Sequence, residues 1–206
     1  MFTGIVQACV PVEKLEKKKG LWSFGIEVSG NTLQGLRFGT SIAIDGVCLT
    51  VTRIEGHVVY FDTMMETLSR TTLCELEVGK KVNIERSARM GDEVGGHTVS
   101  GHVSGIAKIV QIEEPENNKI VTFQCDKKFM KFIFEKGYIA LDGVSLTLCN
   151  PNFEENTFQV YFIPETLSRT MFGEKQIGDS VNMEVDSQTQ AIVETVERVM
   201  AQKGLN

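Results

Sequence analysis

Two pairs of small polar residues stand at matched places in the chain, each inside an otherwise apolar run. Cys48 and Thr50 alternate with Val47, Leu49 and Val51, and Ser145 and Thr147 sit in the related run Val144 to Leu148. Alternate side chains of a strand share a face, so each thiol or hydroxyl pair would project away from its apolar neighbours. Such groups suit a cleft, where they can hydrogen-bond a ligand or pass a proton; the plainer reading makes them buried groups bonded to backbone. Imidazoles are the other proton carriers. His57 precedes the strand-like Val58-Val-Tyr-Phe-Asp62 and reads as a surface strand residue without function, whereas His97 and His102 flank Thr98-Val-Ser-Gly101. Two histidines five residues apart, with no paired carboxylate or thiolate beside them, make a poor metal site, so no metal is expected.

The matched positions exist because the chain is written twice. Ser41-Ile-Ala-Ile-Asp-Gly-Val-Cys-Leu-Thr-Val51 returns as Tyr138-Ile-Ala-Leu-Asp-Gly-Val-Ser-Leu-Thr-Leu148, and Glu66-Thr-Leu-Ser-Arg-Thr71 returns unchanged as Glu165 to Thr170. Val82-Asn-Ile-Glu85 pairs with Val181-Asn-Met-Glu184, and Thr3-Gly-Ile-Val6 with Ser100-Gly-His-Val103. The offset grows from 97 (Gly46 to Gly143) to 99 (Glu66 to Glu165), which fits one lengthened turn in the second copy. A repeat of this length is a whole domain rather than a solenoid unit. In the alignment His102 replaces Ile5, and a histidine where its twin is aliphatic points to proton transfer.

The elements that would position these residues are mostly strands. Ile42 to Asp45, Cys48 to Arg53 and His57 to Asp62 are short, β-branched or aromatic, and separated by Gly-containing turns. About six such segments per copy suit a small closed antiparallel barrel, which leaves no sheet edge exposed. The spacing of Phe129, Met130, Ile133 and Phe134 predicts a helix within Asp126 to Gly137, with a shorter one over Asn31 to Gly39. The expected organisation is all-β: two tandem homologous six-stranded barrels, 1–97 and 98–186, with short helices and a C-terminal α-helix over 187–206. That tail has no counterpart in the first copy. Ser187-Gln-Thr-Gln190 resembles a capping box, and Ile192, Val193, Val196, Val199 and Met200 form a helical apolar stripe suited to neighbouring subunits or to the chain's own barrel.

Composition narrows the partners. The formal charge is −6, and only Lys17 to Lys19 forms a basic run, best read as a solvated turn, so nucleic acid is not an expected partner. No apolar run approaches membrane-spanning length and Met1-Phe-Thr-Gly4 lacks signal-peptide character, so a soluble, cytoplasmic protein is expected. Five cysteines without a Cys-x-x-Cys spacing read as reduced thiols.

Taken together, Met1-Phe-Thr-Gly-Ile-Val6, both Asp-Gly-Val segments, both Glu-Thr-Leu-Ser-Arg-Thr segments, Gly95-Gly-His-Thr-Val-Ser-Gly-His102 and Val181-Asn-Met-Glu-Val-Asp186 resemble the α-subunit type of riboflavin synthase. The resemblance runs from Met1 to about Arg198. It implies a homotrimer in which the first barrel of one subunit and the second barrel of a neighbour enclose two molecules of 6,7-dimethyl-8-ribityllumazine. One molecule gives a four-carbon unit to the other, forming riboflavin and 5-amino-6-(ribitylamino)uracil without a cofactor, and lumazine synthase is a further partner. Carried over by residue, one pocket would use Gly4, Ile5, Val6, Cys48, Leu49, Thr50, Asp62, Thr63, Met64, Met65, Glu66, Thr67, Gly101, His102 and Val103. The other would use Lys136, Ser145, Leu146, Thr147, Tyr161, Phe162, Ile163, Pro164, Glu165 and Thr166. Proton handling would fall to His102 with Ser41 or Thr50, the asymmetry of the first pocket to Cys48, and support to His97 and Asp186. The alternative is a non-catalytic lumazine- or flavin-binding protein on the same barrels, like the optical antenna proteins of luminous bacteria. Those relatives depart from the Gly-Gly-His…Gly-His and Glu-Thr-Leu motifs kept here.

Overall fold

A computed structural model describes residues 1–204. Strands β1 (Ala8–Lys18), β2 (Leu21–Glu27), β3 (Ser41–Ile44), β4 (Val47–Glu55), β5 (Val58–Met64) and β6 (Lys81–Arg86) close into an antiparallel barrel in the order β1-β2-β5-β4-β3-β6. The second copy contributes β7 (Gly105–Glu113), β8 (Lys119–Gln124), β9 (Tyr138–Leu141), β10 (Val144–Thr147), β11 (Cys149–Asn152), β12 (Thr157–Phe162) and β13 (Ser180–Val185). Its sheet, β10-β9-β13-β7-β8-β12-β11, follows the same circuit, but its edges β10 and β11 are consecutive pieces of what is a single strand, β4, in the first copy. The second copy therefore has seven strands rather than the expected six. Both copies bulge here, between Val51 and Arg53 and between Cys149 and Asn152, and the positive φ of Asn150 (49°) widens the second bulge into a break.

Alternation decides which face of each strand is buried. Val47, Leu49 and Val51 are buried while Cys48 and Thr50 are not, and Val144 and Leu146 are buried while Ser145 and Thr147 are not. A one-residue slip would expose three aliphatic side chains, each worth roughly 1.5–3 kcal/mol when buried, so register and polar-face orientation are set together. The two extra residues of the second copy lie in a turn, as expected: two residues join β4 to β5, and four join β11 to β12.

The barrels meet at their β3–β4 and β9–β10 hairpins. Asp45 and Gly46 have φ of 44° and 76°, and Asp142 and Gly143 have φ of 42° and 80°, the signature of a two-residue type I′ turn. The tips touch: a Cβ on Gly46 would lie 2.6 Å from the Gly143 nitrogen. Two asparagines bridge the seam reciprocally. Asn83 Nδ2 donates to the Asp142 carbonyl (3.0 Å) and Asn182 Nδ2 to the Asp45 carbonyl (2.8 Å). The Asn83 side-chain oxygen accepts from Met171 N–H (2.9 Å) and that of Asn182 from Thr72 N–H (2.8 Å).

The segments before each barrel cross over. Phe2 pairs with Val99 in an isolated bridge, and both pack with Ala43 and Ala140 between the barrels. Beyond that crossing, Val6 is buried in the core of the second barrel, and Val103 packs against the core of the first. Each barrel is thus completed by the arm that precedes the other.

Several expected helices differ. Residues Lys127–Phe132 form a 3-10 helix capped by Asp126, with Phe129, Met130, Phe132 and Ile133 buried and Phe134 exposed. The buried residues follow a period of three, which a tighter helix satisfies. In the matching stretch of the first copy only Gly30–Thr32 is helical, also 3-10, in place of a helix over Asn31 to Gly39. Two six-residue helices, α1 (Met65–Arg70) and α2 (Pro164–Arg169), occupy the repeated Glu-Thr-Leu-Ser-Arg segments, each with its Glu in the first turn and its Arg in the last. The tail forms α3 (Ser187–Gln202), but Asp186 is its cap, accepting from Thr189 N–H and Oγ1 at 2.8 Å; Leu205 and Asn206 lie outside the described residues. Among the described residues no helix is long and apolar enough to cross a membrane.

Candidate functional site

Two clefts occupy equivalent places on the two barrels. In the first, Cys48 and Thr50 stand on the outer face of β4, and Ser41 lies directly across the ladder from Thr50. The Gly101 carbonyl accepts the Cys48 N–H at 2.9 Å, laying the arm Gly101-His102-Val103 along β4. The approach demands glycine, because a Cβ at Gly101 would fall 2.5 Å from the Cys48 Cβ at a φ of 82°. A cavity of about 260 Å³ opens between Cys48, Glu66, Thr67, Arg70, Gly101 and His102. Glu66 and Arg70 pair one turn apart at 2.6 Å, and Asp62 accepts from the Ser23 hydroxyl.

The second cleft repeats the frame with different groups. Ser145 replaces Cys48, its N–H donates to the Gly4 carbonyl at 2.8 Å, and a Cβ on Gly4 would lie 2.5 Å from the Ser145 Cβ. Gly4, Ile5 and Val6 therefore belong beside Ser145, which corrects their expected place in the pocket of Cys48. The reason is the crossing of the arms. His97 is buried here, with Nδ1 2.6 Å from the Ser145 Oγ and its ring stacked on Tyr138 at 5.1 Å. Burial lowers its pKa below the usual histidine value, and the charge of Asp186 opposes that only in part. The ring is therefore neutral near pH 7 and suited to accept a proton from the Ser145 hydroxyl. Asp186 also caps α3, which ties the start of that helix to this cleft. Toward the rim, a hollow of about 320 Å³ lies between Lys136, Thr147, Cys149 and Tyr161. Lys136 holds a φ of 63° where its twin is Gly39, and its ammonium reaches the Cys149 sulfur at 3.5 Å.

Other site residues sort by side-chain direction. Leu49, Thr63, Leu146 and Phe162 point into the barrels, so they can offer a ligand only backbone. The buried Thr63 hydroxyl has no hydrogen-bond partner among the described residues. Met64, Met65, Tyr161 and Ile163 are exposed beside the clefts, Pro164 opens α2, the Thr67 and Thr166 carbonyls accept from Thr71 and Thr170, and Glu165 pairs with Arg169. His97 and His102 face different clefts of the chain, so the two imidazoles do not act as a pair within it.

Sequence reasoning missed a larger hollow of about 740 Å³ flanking Ile5 and Val6, where Arg86, Arg89 and Arg169 gather with Asp92. Arg86 and Arg89 lie three residues apart, but Arg169 comes from the second copy, and no local pattern joins it to them.

Fold and clefts define a duplicated-barrel protein with a cleft beside the outer strand of each copy. The lumazine binding domain model matches twice, over residues 3–87 and 100–186. Riboflavin synthase of Escherichia coli (strain K12) is 46% identical over 202 residues, 98% of this chain and 94% of that protein. Riboflavin synthase of Chlamydia pneumoniae is 43% identical over 99% of both chains. Among solved structures, LumP complexed with riboflavin superposes with a TM-score of 0.83 at 30% identity, covering 91% of this chain and all of that one. LumP complexed with 6,7-dimethyl-8-(1'-D-ribityl) lumazine gives 0.81 at the same identity and coverage. The chain belongs, by both repeats and over nearly its whole length, to the riboflavin synthases of the lumazine-binding family.

Proposed function

We propose that the chain dismutates two molecules of 6,7-dimethyl-8-ribityllumazine into riboflavin and 5-amino-6-(ribitylamino)uracil. The observation that carries the mechanism is the pair of clefts built on one frame but lined unequally: Cys48, His102 and Ser41 in one, Ser145, Ile5 and Tyr138 in the other. One substrate taken in two opposite roles requires such a pair. The two products contain the same atoms as two substrate molecules, so the transfer needs no oxidant or reductant.

One bound lumazine loses a proton from its C7 methyl group, and the carbanion attacks the partner, which yields its four-carbon unit. His102 with Ser41 or Thr50 handles protons in the first cleft, and Cys48 supplies a thiol that the second cleft lacks. His97, positioned with Asp186 nearby, serves Ser145 in the second. Backbone of the outer strands pairs with the amide-like edges of the ring, and Thr50, Asp62, Glu66, Thr147 and Glu165 suit the ribityl hydroxyls.

The proposed division is 1–97, 98–186 and 187–206, with each arm packing on the barrel it does not precede. Two clefts that share no lining residue within the chain favour a reaction site formed between subunits, and the exposed Ile192, Val196, Val199 and Met200 on α3 support a homotrimer. A cytoplasmic location and lumazine synthase as a partner complete the proposal.

The test is purified protein with 6,7-dimethyl-8-ribityllumazine alone in metal-free buffer, followed by absorbance. One riboflavin for every two lumazines consumed is expected. Tight binding without product would leave a lumazine-binding protein that lacks the chemistry.

A further inference from the structure

The repeated Val-Asn-x-Glu motif contains two buried carboxylates that the mechanism does not use. Glu184, on β13 and 6% exposed, accepts three hydrogen bonds from the arm of the first cleft. Its Oε1 takes the Ser100 N–H (2.7 Å) and hydroxyl (2.8 Å), and its Oε2 takes the Gly101 N–H (2.9 Å). The Ser100 Oγ then accepts the His102 N–H at 3.0 Å, while the Gly101 carbonyl is fixed to Cys48. Glu85, on β6 and 4% exposed, repeats the grip on the other arm through Thr3 N–H (2.7 Å), Thr3 hydroxyl (2.8 Å) and Gly4 N–H (3.0 Å). Here the Gly4 carbonyl holds Ser145, and the Thr3 carbonyl accepts the His97 N–H at 3.1 Å.

We propose that Glu184 and Glu85 are positioning residues, each aligning the arm and histidine of one ligand cleft, so that the two clefts are set independently; this rests on the two-lumazine reading above. Apolar packing already anchors the arms on both sides, through Phe2 and Val99 between the barrels, Val6 in the second core and Val103 against the first. What that packing leaves free is the short stretch between the anchors, and those residues face the clefts. A carboxylate is an acceptor at every lone pair, so it can satisfy three converging donors at once. Glutamine has nearly the same shape but must turn an NH2 toward at least one of those N–H groups.

The experiment uses the full chain with Glu184→Gln or Glu85→Gln, titrated with 6,7-dimethyl-8-ribityllumazine and followed by NMR of the histidine rings. The chain has three histidines, so His102 reports the first cleft, His97 the second, and His57 serves as a remote control. Glu184→Gln should weaken binding about tenfold at His102 and leave His97 unchanged, and Glu85→Gln should do the reverse. Equal weakening at both histidines, or wild-type affinity at both, overturns the proposal. If either variant does not fold, Thr3→Val removes the hydroxyl bond to Glu85, and Ser100→Ala removes the hydroxyl bonds to Glu184 and to the His102 N–H; each should weaken the matching cleft by a few fold, and no selective change there overturns it equally. Wild-type protein that binds but forms no riboflavin would remove the proposed function and leave this test intact.

Discussion

In the first cleft a thiol, a hydroxyl-bearing strand and an exposed imidazole surround the space against β4. In the second, a hydroxyl is bonded to a buried imidazole, an aromatic ring lies over that imidazole, and an aliphatic arm residue stands where the first has histidine. Yet the backbone contacts that shape both are the same: an arm carbonyl on the strand N–H, a glycine with no room for a Cβ, and a carboxylate gripping two arm residues. Position is shared and chemistry is not. Under the proposed function, duplication kept what places a ring and varied what moves a proton.

The most severe way to break the comparison is to push an arm off its strand. Gly101→Ala and Gly4→Ala should each reduce riboflavin formation by about 100-fold or more, since a displacement of about 1 Å is enough for that. Lumazine titration should show the damage at the cleft of Cys48 in one case and of Ser145 in the other. Cys48→Ser makes the clefts more alike. It should lower turnover on the order of 100-fold with lumazine binding largely intact; a near-normal rate would remove the thiol from the mechanism.

Smaller effects come from titration. His97 has a folded pKa below its unfolded value, so the unfolded chain binds more protons as pH falls through about 6.5. Stability should therefore decline with acidification in that range, and His97→Asn should flatten the decline in thermal melts. Asp45 runs the other way. Burial raises its pKa to about 8, with Asp142 adding to the rise, so the folded chain retains a proton that the unfolded chain has lost. This contribution is present below the unfolded pKa and fades as pH rises toward 8; Asp45→Asn should show less loss of stability between pH 5 and pH 8. Least of all, Lys136→Gly removes a side chain from a left-handed position its twin gives to glycine. Melting should shift by less than about 1 kcal/mol in stability, while turnover falls if the ammonium serves the second cleft.

Much of this was legible in the sequence because strands advertise themselves locally. The alternation around Cys48 and Ser145 gave the barrel faces, the change of offset located a longer turn, and the stripe after Asp186 gave α3. The arm exchange left no such mark. Val6 and Val103 look alike in sequence, and nothing near either says that Val6 enters, and Val103 packs against, the core of the barrel it does not precede. That is why Gly4, Ile5 and Val6 were expected beside Cys48. The stretch 127–132 misled because Phe129, Met130 and Ile133 satisfy a period of 3.6 nearly as well as one of 3, and burial of Phe132 rather than Phe134 decides between them. His97 stood out, but its partner Ser145 lies half a repeat away.

The crossed arms also bear on the order in which the molecule can be assembled. Residues 1–7 are made long before the second barrel, but Val6 and Gly4 meet their partners only after that barrel has been synthesised. Nor is the first barrel complete when its last strand emerges, since Val103 has still to arrive. The first cleft can therefore close once Gly101 and Val103 have been made, whereas the second must wait for Ser145 and the barrel around Val6.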